Sequence, residues 1–351
     1  MCQVYFRHDE GYTPEWPGLE DYQGQIVHPQ TWPEDLDYKG KNVLVIGSGA
    51  TAATLVPAMA EECGHITMLH RSPTYFAPAP NSNDIADMIL ELEVPDERTH
   101  EIVRRKILND QKEVTRRTFE EPVALKTELI GAAREYLGEL FDVETHFTPK
   151  YRPWQQRLAF IPDGDLFQGI RSGQASVVTD QIDRFTAKGV LLKSGKEIEA
   201  DIIVTATGFN LCVLGDIEFT VDGEPVDFAD TVTYRGIMFT GVPNLVWVFG
   251  YFRASWTLRA DLISEFVCRM FKHMRKLGTQ VVTPQLRTED HNMPQLPWID
   301  PDNFNPGYLT RSMHLMPKQG DREPWIFTQD YWKEKDEFPS ADLEDGALVY
   351  E

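Results

Sequence analysis

The stretch that decides the fold is Val43-Leu44-Val45-Ile46-Gly47-Ser48-Gly49-Ala50-Thr51-Ala52. Its first four residues are a continuous apolar run that indicates a buried strand, and the residues from Thr51 to Ala60 have the pattern of a helix. A second strand is predicted from Ile66 to Leu69, which completes a β-α-β unit within about 30 residues. We therefore predict an α/β fold that contains a Rossmann-type domain.

The string from Gly47 to Ala52 has the form Gly-x-Gly-x-x-Ala and lies between a strand and a helix, the context in which it predicts dinucleotide binding. Gly47 permits the tight turn, Gly49 lets the backbone approach a pyrophosphate, and Ala52 lets the helix pack closely on the strand. The helix N-terminus adds amide donors and the positive end of its dipole. We predict that the whole string contacts a cofactor, namely Gly47, Ser48, Gly49, Ala50, Thr51 and Ala52.

The second strand is followed by Arg71 and Ser72, where an NAD-binding domain normally has an acid that accepts from the ribose 2′-hydroxyl. Arg71 can instead donate two hydrogen bonds to a 2′-phosphate, and Ser72 can add its hydroxyl. This pattern favours NADP(H) over NAD(H). The alternative is a strand-to-helix turn that carries a solvated arginine.

Composition excludes several classes of function. The chain of 351 residues has 55 acidic and 34 basic side chains, and its net charge of −21 would repel a phosphate backbone, so nucleic acid is not expected as a partner. No apolar run approaches the roughly 20 residues of a membrane span, and the start lacks the features of a secretory signal. The four cysteines contain no Cys-x-x-Cys pair, which argues against a metal site and a disulfide framework. We expect a cytoplasmic protein.

Further elements follow from the pattern of apolar residues. Helices are predicted from Asp84 to about Tyr136, at 165–171 and at 258–276, and the segments 149–162 and beyond Thr283 are predicted to be irregular. Strands are predicted at 175–178, 201–206 and 245–249, of which 201–206 should be parallel and central. A hairpin is predicted over 185–192, with a turn at 193–196.

The segment Tyr22-Gln23-Gly24-Gln25-Ile26-Val27-His28-Pro29-Gln30-Thr31-Trp32-Pro33 precedes the glycine turn by about 15 residues. It resembles the fingerprint of Baeyer-Villiger monooxygenases, Phe-x-Gly-x-x-x-His-x-x-x-Trp-(Pro/Asp), from which Tyr22 alone departs. The string Ala206-Thr207-Gly208-Phe209 also resembles a motif of that family, the class B flavin-dependent monooxygenases. The resemblance implies that Gly24, His28 and Trp32 lie on a linker that couples domain movement to the reaction, and that Thr207 and Gly208 contact a cofactor.

The resemblance implies a reaction in which NADPH reduces FAD, O₂ is captured as a C4a-peroxyflavin, and one oxygen atom is inserted into a ketone or added to a sulfide. It also implies that Arg157, about 50 residues before the Ala-Thr-Gly motif, lies over the flavin as the catalytic residue. Its permanent charge can stabilise an anionic oxygen. Many relatives have Lys where this chain has Gln156. The alternative for Arg157 is an arginine that satisfies loop carbonyls.

Members of the resembled family begin with a glycine-rich turn of their own for FAD, and we expect this N-terminal segment to be missing here. The implied organisation assigns residues 1–38 to a remnant of the FAD domain and the linker. Residues 39–83 and 150–200 form the NADP-binding domain, residues 84–149 a helical insertion, and residues 201–351 the C-terminal part of the FAD domain, giving a flavoprotein with two dinucleotide-binding domains. Two alternatives stay open, namely a flavin-free NADP-binding fragment and a subunit that needs a complementing FAD-binding chain.

Two weaker patterns are open to a simpler interpretation. Asp163 and Asp165 flank Gly164, which is more typical of a turn than of a metal site, because too few ligands accompany them. Several aromatic residues, Trp247, Phe249, Tyr251, Phe252 and Trp256, either line a substrate pocket or belong to the core.

Overall fold

A computed structural model describes residues 5–351, which form two compact units. One unit comprises residues 8–209, and the described part of the other comprises residues 5–7 and 210–351. The apolar opening of the chain, Met1 to Phe6, predicts a strand, but residues 1–4, which include Cys2, lie outside the described residues.

The first unit alternates strands and helices. Its elements in chain order are β1 (Phe6–Gly11), which begins just before it, β2 (Gln25–Val27), β3 (Asn42–Ile46), α1 (Ala50–Ala60), β4 (His65–His70), β5 (Phe76–Ala79), α2 (Asp84–Glu91), α3 (Asp96–Glu120), α4 (Pro122–Leu137), α5 (Val143–Phe147), β6 (Ala159–Pro162), α6 (Asp165–Arg171), β7 (Ala175–Thr179), β8 (Ile182–Thr186), β9 (Gly189–Leu192), β10 (Glu197–Glu199) and β11 (Ile202–Thr205).

The second unit has one long helix among short elements. These elements are β12 (Phe209–Leu211), whose first residue belongs to the other unit, β13 (Thr220–Val221), β14 (Glu224–Pro225), β15 (Thr233–Tyr234), β16 (Met238–Phe239), α7 (Trp256–Leu277), β17 (Val282–Pro284), β18 (Leu296–Pro297), α8 (Gly307–Ser312), β19 (Lys318–Gln319), α9 (Tyr331–Ser340) and β20 (Leu348–Tyr350).

A five-stranded parallel sheet organises the first unit, in the order β2-β11-β3-β4-β7. In its middle strand, Val43 and Val45 pack with the core of helices α1, α4 and α6, whereas Leu44 and Ile46 face a second core. That second core includes the antiparallel sheet β8-β9-β10. The continuous apolar run of β3 follows from this burial on both faces. The predictions at 43–46, 51–60, 66–69, 165–171, 175–178 and 201–206 are confirmed to within one residue.

The strand order reverses at β3. The chain proceeds from β3 to β4 and β7 on one side, and it returns on the other side as β11, so the predicted parallel strand is an interior one. Open α/β sheets bind ligands at the carboxyl ends of their strands where the order reverses. The edge that carries the glycine turn is therefore the favoured place for a ligand.

The predicted hairpin has its turn at a different position from the one expected. Strands β8 and β9 turn at residues 187–188, and the turn at 193–196 joins β9 to β10 instead. The Thr186 hydroxyl accepts from the Gly189 amide at 3.1 Å and so fixes the earlier turn. A Cβ atom at Gly189 would lie 1.9 Å from the Ile198 carbonyl oxygen, so the close pairing of β9 with β10 depends on glycine.

The predicted helices between Asp84 and Tyr136 are confirmed as α2, α3 and α4. Together with α5 they lie between β5 and β6, which pair in parallel with each other. Strand β6 replaces part of the segment predicted to be irregular, and helices α4 and α5 contribute Ala133, Leu137 and Phe147 to the core of the unit. Among the described helices, none combines the length with the apolar composition that a transmembrane span requires.

In the second unit, helix α7 is confirmed but the predicted strand at 245–249 is wrong. Trp247, Val248 and Phe249 are buried, yet no ladder forms there. The Trp247 amide donates to the Ile237 carbonyl at 2.7 Å, and the Arg259 guanidinium donates to the Phe249 carbonyl at 3.1 Å. The apolar run therefore predicted burial correctly, but the Arg259 side chain, and not a neighbouring strand, satisfies the Phe249 carbonyl. The segment after Thr283, predicted to be irregular, contains α8, α9 and short strands.

The aromatic residues of this unit form a core. Trp247 stacks on Trp298 with centroids 5.2 Å apart, and Trp298 stacks on Phe327 at 5.3 Å. Phe249, Phe252 and Trp256 join the same set of ring contacts. A core role accounts for these residues without a substrate.

The compact units differ from the predicted domain boundaries at two places. Strand β2 of the fingerprint segment and strand β11 both pair within the parallel sheet, so residues 8–38 and 201–209 belong with the first unit. Backbone pairing thus continues past residue 200, where the family resemblance implied a boundary.

Candidate dinucleotide-binding site

The glycine turn follows β3 at the edge where the strand order reverses. Gly47 has φ 136°, and a Cβ atom there would lie 2.2 Å from the carbonyl oxygen of Ala206, just after β11. The Gly47 amide donates to the Leu69 carbonyl at 2.8 Å. Positive φ and the close approach of backbone each require glycine.

Helix α1 begins directly after the turn. Gly49 is its N-cap residue, no side chain caps the helix, and a Cβ atom at Gly49 would meet no atom within 4 Å. Ala52 is fully buried in the core, whereas Ala50 is exposed. The first turn of the helix thus presents amide donors to open space, while Ala52 packs the helix onto the sheet.

Ser48, in the middle of the turn, contacts a residue that the sequence had not singled out. Its Oγ lies 2.7 Å from Oγ1 of Thr74, in the loop after β4, and both side chains are partly buried. The sequence signal was only the proximity of Thr74 to Arg71 and Ser72, because threonine alone has no pattern that indicates a contact.

Arg71 and Ser72 follow the carboxyl end of β4, the strand next to β3. Both are exposed, and Arg71 makes no hydrogen bond or ion pair to any residue in 5–351. An unpaired guanidinium beside the turn is available to an anion.

A chain of three polar side chains lies under this edge. The Thr179 hydroxyl, at the end of β7, is 2.6 Å from His70 Nε2 and 2.7 Å from Nδ1 of His146 in α5. Burial, and then the neighbouring His146, lower the pKa of His70 to about 4. Burial also lowers the pKa of His146, against the opposing charge of Asp142. Both imidazoles are therefore neutral at pH 7. One of them must accept a hydrogen bond from the Thr179 hydroxyl, while the other donates a hydrogen bond to the Thr179 oxygen.

The fingerprint residue Gly24 is explained by packing. A Cβ atom there would lie 2.3 Å from the Tyr22 hydroxyl and 2.6 Å from the Asp201 carbonyl oxygen. The Tyr22 hydroxyl donates to the Ala200 carbonyl at 2.9 Å, and burial raises its pKa to about 12. The tyrosine that departs from the family pattern thus ties the fingerprint to the segment just before β11.

His28 caps a short turn after β2. Its Nδ1 accepts from the Gln30 amide at 3.2 Å, and a Cβ atom at Gly11 would lie 1.8 Å from its Cε1. Burial lowers the pKa of His28, while the nearby backbone of Gly208 opposes that shift. The imidazole is thus packed flat against the backbone of the segment that contains Gly11.

Two further fingerprint and motif residues lie in the same unit. Trp32 packs against the core that includes Val45 and α1. The Thr207 hydroxyl donates to the Tyr12 carbonyl, and the Tyr12 amide donates to the Gly208 carbonyl at 3.0 Å. Gly208 has φ 105°, so this position also favours glycine. These two hydrogen bonds hold residues 207–208 to residue 12.

Comparison with known proteins decides the family. The chain is 45% identical to the FAD-containing monooxygenase EthA of Mycobacterium tuberculosis, over 95% of this chain and 67% of the relative. It is 41% identical to the probable FAD-binding monooxygenase AlmA of an Acinetobacter species, over 99% of this chain and 69% of that relative. This chain belongs to the class B flavin-dependent monooxygenases. It spans about two thirds of the length of these relatives, and no protein-family profile matches it.

The fold is that of solved class B monooxygenases. The structure of an oxidized steroid monooxygenase bound to NADP has a TM-score of 0.67 at 19% identity and covers 99% of this chain and 73% of its own. The chain therefore has the fold of flavoproteins with two dinucleotide-binding domains. Members of this family are enzymes that use FAD and NADP.

Arg157 lies in the loop that connects α5 with β6. It is exposed and makes no hydrogen bond or ion pair within the described part of the chain, whereas Trp154 and Leu158 on either side are buried. Arg157 therefore does not satisfy loop carbonyls, and that alternative is wrong. Its role in a class B monooxygenase remains a prediction.

Asp163 and Asp165 form a turn. Asp163 and Gly164 have φ 53° and 71°, and the Asp163 carboxylate accepts from the Asn81 amide at 3.0 Å. Asp165 begins helix α6. Within residues 5–351, no group of three or more His, Cys, Asp or Glu side chains is arranged to hold a metal.

Proposed function

We propose that this chain binds NADP(H) at residues 47–52 and serves an NADPH- and FAD-dependent monooxygenase reaction on a ketone or a sulfide. The proposal rests on one arrangement. An open glycine turn with an uncapped helix follows β3, and the unpaired Arg71 follows the neighbouring strand β4. The NADP found in the steroid monooxygenase supports this choice of nucleotide. Membership of the family supports FAD and O₂ as the other reactants.

The glycine turn would hold the pyrophosphate. No side chain caps α1, the space beside its N-cap Gly49 is open, and the helix dipole favours an anion there. The absence of a side chain at Gly49 lets a phosphate oxygen approach the backbone. The Ser48 hydroxyl is a further donor to that oxygen, since its partner Thr74 occupies only one of its hydrogen-bonding sites.

Arg71 and Ser72 would hold the 2′-phosphate that distinguishes NADP from NAD. The guanidinium can donate two parallel hydrogen bonds to a phosphate, and no carboxylate among residues 5–351 pairs with it. Such charge-assisted bonds contribute about 1.5–3 kcal/mol each. Discrimination against NAD(H) follows, because NAD(H) lacks the group that pairs with Arg71.

FAD supplies the oxygen chemistry in this family. Among residues 5–351, Gly47–Ala52 is the only Gly-x-Gly-x-x-Ala turn between a strand and a helix, so no second pyrophosphate turn for FAD is found there. We propose that Arg157 provides a fixed positive charge that stabilises the developing charge on the substrate oxygen.

We also propose roles for the parts of the chain. Residues 39–83 and 150–200, together with β2 and β11, would form the NADP-binding domain, and residues 84–149 its helical insertion. The rest of 201–351 would be the C-terminal part of the FAD domain. Gly24, His28 and Trp32 would couple movement of the NADP-binding domain to the reaction.

Two alternatives stay open, because residues 5–351 contain one such turn. The chain would then bind NADP(H) without flavin, or it would complete an FAD site with a separate chain. Both alternatives keep the NADP(H) site and differ in what supplies the flavin.

The test is the visible absorption of the purified protein with added FAD, followed by addition of NADPH. Retention of the flavin through gel filtration and bleaching near roughly 450 nm by NADPH would support the monooxygenase proposal. NADH is the matched control and should bleach the band more slowly. Loss of all flavin in gel filtration would contradict the proposal that this chain binds FAD, and it would favour the flavin-free alternative. Retention of the flavin only with a second chain would favour the alternative in which this chain is a subunit.

A further inference from the structure

Three hydroxyl groups converge beside the glycine turn. Ser48 Oγ and Thr74 Oγ1 are 2.7 Å apart. Tyr151, at the start of the loop that carries Arg157, has a buried hydroxyl with no regular hydrogen bond to the described residues. Burial raises the pKa of the Tyr151 hydroxyl to about 12, and the Thr74 hydroxyl lies near enough to oppose that shift.

The loop and the turn are linked a second time through the neighbour of Thr74. The Tyr75 hydroxyl donates to the Tyr151 carbonyl at 2.7 Å, and the two rings meet edge to face at 5.4 Å. Tyr75 is almost fully buried. Residues 74 and 75 therefore lie between the glycine turn on one side and Tyr151 on the other.

The direction of the hydrogen bonds among these hydroxyls follows from their chemistry. Each hydroxyl can donate one proton and can accept, whereas a phosphate oxygen at neutral pH only accepts. A phosphate beside Ser48 would make Ser48 the donor to phosphate, so Thr74 would donate to Ser48. The Thr74 oxygen is then left to accept from Tyr151, which keeps its proton at neutral pH.

We propose that Thr74 is a positioning residue of the NADP(H) site, through which a donor chain runs from Tyr151 to Thr74 to Ser48 and ends on the pyrophosphate. The donor chain supplies an acceptor for the buried Tyr151 hydroxyl, which has no regular hydrogen bond. Through this chain, a bound nucleotide would restrain the loop that contains Arg157. The inference rests on the proposed function, because the pyrophosphate is the acceptor that orients the hydroxyls.

The first test measures binding of NADP⁺ by calorimetry to Thr74→Val, Thr74→Ser and Ser48→Ala. Loss of the hydroxyl in Thr74→Val should weaken binding about tenfold, whereas Thr74→Ser should bind within about twofold of the natural chain. Ser48→Ala removes the hydroxyl next to the phosphate, so adding Thr74→Val to it should cause little further loss. Ser48→Ala also serves if Thr74→Val folds poorly, which melting temperatures will reveal.

Adenosine 2′-monophosphate is the matched control ligand, because it carries the phosphate for Arg71 but has no pyrophosphate. Thr74→Val should leave its affinity unchanged, and Arg71→Ala should weaken it. Equal affinity of Thr74→Val and the natural chain for NADP⁺ would overturn the donor chain and leave the proposed function standing. Equal weakening by Thr74→Val and Thr74→Ser would also overturn it. No binding of NADP⁺ to the natural chain would defeat the proposed function and the inference together.

Trypsin cleavage after the exposed Arg157 tests the link to the loop. Saturating NADP⁺ should slow this cleavage severalfold in the natural chain, and it should slow it much less in Tyr151→Phe saturated with the same ligand. Cleavage after the exposed Arg104 of α3 is the internal control and should not respond. Equal protection of both proteins would show that the donor chain does not reach the loop.

Discussion

Gly47 and Ala206 approach each other so closely that a Cβ atom on Gly47 would lie 2.2 Å from the Ala206 carbonyl oxygen. The contact joins the end of β3 to the end of β11, the two strands between which the sheet order reverses. Backbone of the neighbouring strand therefore packs directly against the glycine turn at Gly47. Gly49, two residues later, has open space around it.

These two glycines should respond differently to substitution. Gly47→Ala should lower the free energy of unfolding by about 3 kcal/mol, because a side chain is strained at φ 136° and collides with backbone. Gly49→Ala should change stability by less than about 0.5 kcal/mol and yet weaken NADP⁺ binding at least about tenfold. Urea unfolding and calorimetry measure the two effects. Equal loss of stability in both variants would contradict this account.

The buried ion pair of the second unit should be essential for its stability. Arg259 Nε lies 2.9 Å from the Glu334 carboxylate, both side chains are buried, and the Tyr251 hydroxyl donates to the same carboxylate at 2.6 Å. Glu334→Gln should cost about 3–5 kcal/mol, because it leaves a buried guanidinium charge unpaired. Arg105→Ala, which breaks an exposed pair with Glu101, should cost less than about 1 kcal/mol. Similar costs in urea unfolding would refute the assigned role of Glu334.

His70 should make stability depend on pH below neutrality. Its pKa is lowered from 6.5 to about 4 on folding, so the unfolded chain takes up its proton first as the pH falls. Above pH 6.5 His70 is neutral in both states and does not alter stability. Between pH 6.5 and about 4 the free energy of unfolding falls by about 1.4 kcal/mol per pH unit, about 3.5 kcal/mol in all.

Unfolding free energies of His70→Asn between pH 8 and 4 measure this contribution. The variant should lose less stability over that range than the natural chain, whereas the exposed His100→Asn should behave like the natural chain. Parallel curves for His70→Asn and the natural chain would show that another group is responsible.

The packing of His28 on Gly11 predicts a coupled effect. Gly11→Ala should destabilise the chain by about 2 kcal/mol, because the added methyl group would overlap the imidazole. In Gly11→Ala with His28→Ala the overlap disappears, so the double variant should be more stable than the sum of the single costs implies. Additive costs in a double-mutant cycle would mean that the two residues do not interact.

Much of the first unit followed from sequence because its signals are local. The apolar strand, the two glycines and Ala52 specify one turn, and the observed φ of Gly47 and burial of Ala52 agree with the reasons for those residue types. Likewise, helix α6 was predicted at its exact bounds from the residues around Asp165.

What could not be predicted depends on contacts between distant segments. The buried run at 245–249 is not a strand because the Arg259 side chain satisfies a backbone carbonyl, and the sequence has no signal for that bond. The fingerprint strand β2 was missed because its pairing with β11 joins residues far apart in the chain. Thr74 was missed for the same reason, since its importance comes from Ser48 and Tyr151.

If Arg71 and the glycine turn form an NADP(H) site, the ratio of the dissociation constants for NADPH and NADH will show it. We predict that the natural chain binds NADPH at least about tenfold more tightly, in line with the energy of a charge-assisted phosphate contact. Arg71→Ala should bring the two constants within about threefold of each other, while Arg104→Ala, on an exposed helix, should leave the ratio unchanged. Equal affinity of the natural chain for both nucleotides, or an unaltered preference in Arg71→Ala, would contradict the assignment of this site.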